Sequence, residues 1–275
     1  MSTALPAREH KGPLPLLRGA HEIFALSFDG LVLGRRSLLM AVLLGLPAVF
    51  AVAFRLVLAA RLPARVSGFD LYGVIVAIYD VRNVLPLCAL FFASALIAEE
   101  VEGRTLTYLL TRPVQRASIL LGKFAAYVVT AIVFAWPVTV ITFLLLSSAR
   151  GASGLGAQAP VLFQDLGVMA LTLVAYGALF TLLGVLLKRP VIAGLLFLYG
   201  WELLVYLPGY LPRLTLTGYL RSLLSHRPAE EGLAQALGTT IFGTGESLLS
   251  LAILTVVFLV LAFGIFSRRE YVMEQ

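Results

Sequence analysis

Long apolar runs separated by short polar breaks set the pattern of this chain. Residues 38–60 read LLMAVLLGLPAVFAVAFRLVLAA, 83–100 close with LCALFFASALIA, and further runs cover 121–146, 164–187, 191–211 and 247–266. Each approaches the roughly 20 helical residues needed to cross a hydrocarbon core of about 30 Å. The pattern therefore predicts an all-α membrane protein with six spans. Arg55 is close enough to the end of the first span to snorkel. Trp136-Pro137 predicts a kink in the third, because proline removes a helix hydrogen bond. Lys188-Arg189-Pro190 separates the fourth from the fifth. The second span has an ambiguous start. Residues 71–79 (LYGVIVAIY) are also apolar, but Asp80 and Arg82 cut them off, so they read either as a half-inserted piece or as an extension of the same helix.

Amphipathic stretches flank these runs. From Pro15 to Arg36, Leu16, Leu17, Ala20, Ile23, Phe24, Ser27, Phe28 and Leu31 recur at three- and four-residue steps, while Arg18, His21, Glu22 and Asp29 fall on other faces. That spacing predicts a helix lying in the plane of the inner leaflet, or a cap packed on neighbouring spans. Residues 147–163, rich in Ser, Gly and Ala, read as a flexible connection. Residues 212–246 carry a second amphipathic stretch (Leu216, Tyr219, Leu220, Leu223, Leu224) and a glycine-rich exit.

Composition agrees with the pattern. Of the 275 residues, 60% are hydrophobic and only 13% charged, and mean hydropathy is +0.94, whereas a soluble domain carries about 25% charge. The formal charge of +6 comes from basic residues placed mostly at the ends of apolar runs, which reads as topology rather than as a nucleic-acid footprint. With a cytoplasmic amino terminus, thirteen Lys and Arg fall inside and eight outside, and the tight pairs at 35–36, 188–189 and 268–269 are all inside. Six spans then place both termini in the cytoplasm. The expected organisation is a cytoplasmic segment 1–37, a membrane domain 38–266 and a tail 267–275. No basic n-region leads into a short apolar run, so no cleavable leader is expected.

Few residues offer catalysis. A single cysteine, Cys88, excludes an intrachain disulfide and a Cys-based zinc site and reads as a small hydrophobe. His10, His21 and His226 lie outside the predicted spans, without metal-ligand spacing. There is no GxxxxGK[S/T] phosphate loop and no GxSxG serine. The expectation is a chain with no catalytic residues, no metal and no cofactor of its own. One ionisable residue stands inside a predicted span. Glu202, in LYGWELLVYLPGYLP, falls about three helical turns from Pro190, near the bilayer midplane. An unpaired charge there is costly, so Glu202 is either a pathway residue or a structural one bonded to a neighbour, with Tyr199, Trp201 and Tyr206 as candidate partners.

The densest charge lies in residues 97–123, IAEEVEGRTLTYLLTRPVQRASILLGK. Glu99, Glu100 and Glu102 end an apolar run. Read as a helix, 105–113 gathers Leu106, Leu109, Leu110 and Pro113 on one face. A short exposed helix with a leucine face needs a partner to bury it. The series Glu99, Glu100, Glu102, Gly103, Thr105, Leu106, Leu109, Leu110, Arg112, Pro113, Arg116, Gly122, Lys123 resembles the signature of permease subunits of ABC-2-type ATP-binding-cassette transporters. It departs at Arg104, which separates a glycine and a threonine that are commonly adjacent in that family.

The resemblance implies that 105–113 is a coupling helix docking on a separate ATPase subunit, with Glu99 to Arg116 as the docking region. It implies two ATPase copies, with ATP and magnesium bound there, and a second permease subunit, identical or related. It also implies residence in the bacterial cytoplasmic membrane, among lipid, and export of a substrate. A second class stays open, in which the chain is an anchor or energy transducer acting on another protein complex, with 212–246 as a candidate surface for an outer partner. The aromatic content of 11% and the scarcity of charge in the spans point to a hydrophobic or lipidic cargo.

Overall fold

The structure, a computed structural model, describes residues 16–32, 34–59, 67–94, 96, 116–148, 151–207, 210–226 and 242–268. Among them every regular element is helical. Helix α1 (Leu16–Val32) leads through a turn at Gly34 into α2 (Arg35–Ala59). Ser37 fixes this turn, its amide donating to Gly34 O and its hydroxyl to Leu31 O. Then come α3 (Gly68–Ala93), α4 (Arg116–Ser147) and α5 (Gly151–Leu186). After these come α6 (Pro190–Tyr199), 3₁₀ turns at Trp201–Tyr206 and Leu211–Leu214, α7 (Leu216–Leu223) and α8 (Thr244–Arg268). Five stretches of the described residues, in α2, α3, α4, α5 and α8, are long and apolar enough to cross a membrane.

Helix α3 starts at Gly68, so residues 71–79 extend the helix of the second apolar run rather than forming a separate piece. It continues through Asp80 and Arg82 by widening into a π-helix over Ile75–Val84. Pro86, just inside the following α-helical section, has no N–H to return to the preceding turn, a recognised cause of such widening. The Asn83 side-chain amide donates to Ile78 O at 2.6 Å, occupying one of the loosened carbonyls. Asp80 is turned inward and is 4% exposed.

Two other expectations change. Residues from Gly151 onward are not a flexible connection but the first turns of α5, whose alanines and leucines favour a helix despite the glycines. At its 36 residues, α5 runs about 54 Å at about 1.5 Å per residue. The run 191–211 is not one long helix. It is α-helical only to Tyr199, tightens into a 3₁₀ turn after Gly200, and then folds back through Leu211–Leu214 into α7. Its apolar helical part, Pro190–Tyr206, is shorter than the five long stretches.

Helix α5 is the centre of the bundle, touching α3, α4, α6, α7 and α8. Met169, Tyr176 and Phe180 are fully enclosed along it. The outer faces of α2 and α8 stay apolar and exposed, as at Leu39, Phe50, Ile253 and Val260, which suits contact with lipid rather than water. At one end of the bundle α1 packs across α4. Gly122 makes that crossing close, because a Cβ there would stand 2.5 Å from Ala20 O and press on Ile23. Small residues at such crossings let helices approach in lipid, where the hydrophobic effect does not drive them together. Ala20 and Ile23 are accordingly buried, while Arg18, His21, Glu22 and Asp29 face outward.

Candidate functional site

The signature segment from Glu99 to Pro113 lies outside the described residues, and Arg116 is the first residue of α4. Its two flanks are described, and they converge. Lys123, near the start of α4, donates from Nζ to Leu96 O at 3.0 Å, just beyond the end of α3. Ser118 is fully buried in the same region. The chain thus leaves α3 and re-enters α4 at neighbouring points, and α1 crosses α4 at Gly122, one residue from the Lys123 tie.

Glu202 lies at the start of the 3₁₀ turn Trp201–Tyr206 and is 4% exposed. Its partners are not the three aromatics. Oε1 accepts from the Leu216 amide and Oε2 from the Thr217 amide, each at 3.1 Å. These are the first two N–H groups of α7, which have no partner within the helix. The Thr215 hydroxyl accepts from the Gly218 amide and completes the cap. A carboxylate at a helix N-terminus also opposes the positive end of the helix dipole. Trp201 serves the same fold-back, its Nε1 donating to Leu214 O at 2.9 Å, while Tyr199 and Tyr206 are exposed. Glu202 therefore pins α7 against the 3₁₀ turn that precedes it.

Around this cap runs a polar wall that sequence reasoning missed. Arg82, Asn83, Tyr176, Glu202 and Thr217 line a cavity of about 30 Å³, room for a water molecule. The Tyr176 and Thr217 hydroxyls stand 2.9 Å apart. The Arg82 guanidinium also lies 4.4 Å from the centre of the Tyr206 ring, and that of Arg221 on α7 lies 5.5 Å from the same ring. Arg82 reads from sequence as a charge closing an apolar run. Only the π-helical continuation of α3 brings it here.

A second polar contact holds the other end of α7. The Gln164 amide on α5 donates to Leu223 O at 2.6 Å, and Ser225 donates to Gln164 Oε1. The next residue, His226, meets the fully buried Asp165 with 3.1 Å between Nε2 and Oδ2. The imidazole lies edge-on between Phe69 and Tyr72 of α3, at ring distances of 5.0 and 5.4 Å. Gly73 makes room for it, since a Cβ there would fall 2.5 Å from His226 Nδ1. The five apolar residues of the amphipathic stretch 216–224 are all buried within the chain.

A family model described as ABC-2 family transporter protein matches residues 81–271. Among curated proteins, none matches the sequence.

Proposed function

The chain belongs to the ABC-2 transporter family, whose members are multi-pass membrane permeases that work with an ATPase subunit, and from that premise we propose that it is the permease of an exporter in the bacterial cytoplasmic membrane. Two copies, or this chain and a related one, pair around a pathway, and each rests on one ATPase subunit through residues 105–113. ATP and magnesium act on those subunits. Closure of the ATPase pair pushes on 105–113 and shifts the permease between inward- and outward-facing populations.

One observation carries the coupling part of this reading. The two helix ends that bracket the signature segment are tied together at Lys123 and Leu96, with α1 wedged beside them at Gly122. In this reading α1 lies at the inner leaflet and both termini are cytoplasmic. Pro190–Tyr206 serves as a shortened sixth crossing, about 27 Å long at about 1.5 Å per α-helical and 2.0 Å per 3₁₀ residue. The alternative, a transducer acting on an outer partner through 212–246, has less support, because the apolar face of 216–224 is occupied within the chain.

The test is co-purification. Leu109→Asp with Leu110→Asp should release the ATPase subunit while the permease still inserts. An undiminished ATPase yield with the double variant would remove 105–113 as the coupling helix.

A further inference from the structure

Arg82 of α3, Arg213 of the 3₁₀ turn Leu211–Leu214 and Arg221 of α7 are not equivalent. Arg213 is paired with Glu246 at 3.7 Å. Arg82 and Arg221 share the Tyr206 ring instead, at 4.4 and 5.5 Å from its centre, so the two guanidiniums are no farther apart than those two distances laid end to end. Among the described residues neither has a carboxylate within ion-pair reach. Glu202 is the acid on the adjoining cavity wall, but its two oxygens are taken by the Leu216 and Thr217 amides. Two like charges drawn onto one ring, in a chain otherwise nearly free of charge along its apolar helices, call for a counter-charge. The ring attracts each cation but neutralises neither.

The surroundings define that counter-charge. Arg82 and Arg221 are half-buried and Tyr206 is 38% exposed, so the group is open from outside. The cavity lined by Arg82 is water-sized, so a larger anion would have to stay at its mouth, beside the two guanidiniums. Guanidinium forks match the paired oxygens of a phosphate, with two N–H donors from each. The exposed surface beside them is apolar, at Leu203, Leu207 and Leu214. An anionic head and an oily body are thus provided for side by side.

We propose that Arg82 and Arg221, held on Tyr206, form a receiving site for the phosphate group of an anionic amphiphile whose apolar part lies over Leu203, Leu207 and Leu214. The site depends on the chain crossing a membrane and not on its coupling to an ATPase, so its failure and that of the transport reading are separable.

The full chain carrying Trp136→Phe leaves Trp201 as its one indole, beside the site. Reconstituted in phosphatidylcholine vesicles doped with brominated phosphatidylglycerol, it should be quenched more strongly than with brominated phosphatidylcholine at the same mole fraction. The preference should fall by roughly fivefold for each arginine replaced in Arg82→Gln and Arg221→Gln. Arg82→Lys with Arg221→Lys should retain part of it, which controls for misfolding. Arg213→Gln should leave it intact. In a second arm, millimolar inorganic phosphate competes with the quencher if the site accepts the phosphate group by itself. If phosphate has no effect while the preference stands, the ligand is the lipid headgroup with its chains. A preference that survives the double Gln variant, or one that Arg213→Gln erases equally, would overturn the site in favour of a general surface-charge effect. So would its absence from the Trp136→Phe chain.

Discussion

Glu202 shows how a buried charge is made tolerable without a cationic partner. Its two oxygens take the first two amides of α7, and such charge-assisted hydrogen bonds contribute about 1.5–3 kcal/mol each. Glu202→Gln keeps one accepting oxygen and loses the charge, so it should lower the stability of the folded chain by about 1–3 kcal/mol. Turnover per folded complex should stay normal. Thermal unfolding followed alongside ATP hydrolysis separates the two effects. A changed substrate-stimulated turnover at unchanged melting temperature would make Glu202 a pathway residue instead. Its sequence position gave the alarm of a carboxylate in an apolar run, but its partners are backbone amides fourteen and fifteen residues away. No side-chain pattern reports those.

At the scale of elements, α7 is held at both ends, by the Glu202 cap and by the contacts of Gln164 and Asp165 with Leu223, Ser225 and His226. His226→Ala should free its second anchor and leave Asp165 buried without its partner, a change worth about 1–3 kcal/mol. Hydrogen exchange over 216–226 should rise while α4 and α5 keep their protection. Gly73→Ala should act in the same direction, since the added Cβ would displace the imidazole. Unchanged exchange in both variants would mean that the clamp holds nothing.

The amphipathic periods of α1 and α7 were legible because 3.6-residue repeats of Leu, Ile, Phe and Tyr need only local sequence. What covers each face was not. In α1 the buried positions Ala20 and Ile23 meet α4, while Leu26 on the same helix is exposed. Asp80 and Arg82 leave the start of the second span open between a half-inserted piece and a continuous helix, and the structure has the continuous helix. A π-helix changes which residues face inward, and a charge in the sequence does not report that.

For the whole molecule, apolar run length was enough to show a multi-pass helical membrane protein, because bilayer thickness fixes helix length. It did not show that 191–211 would break, since Gly200 and the tertiary cap of α7 decide that together. The proposed topology has a direct reading. With Cys88→Ser, cysteines at Ser2, Lys188 and Glu274 should resist an impermeant thiol reagent in intact cells, while cysteines at Ala157 and Ala229 should label. Outside labelling at Glu274 would put the number of crossings wrong by one.

The central claim is that ATP acting on a separate subunit moves this chain through residues 105–113. In the Cys88→Ser background a cysteine at Tyr210, 77% exposed beside the fold-back into α7, reports that motion. Its rate of labelling should be measured in the reconstituted complex without nucleotide and after ATP with vanadate has trapped the ADP–vanadate state. The account predicts a several-fold change in rate that disappears when Leu109→Asp and Leu110→Asp are added. An equal rate in both nucleotide states, with the ATPase subunit still bound, would contradict it.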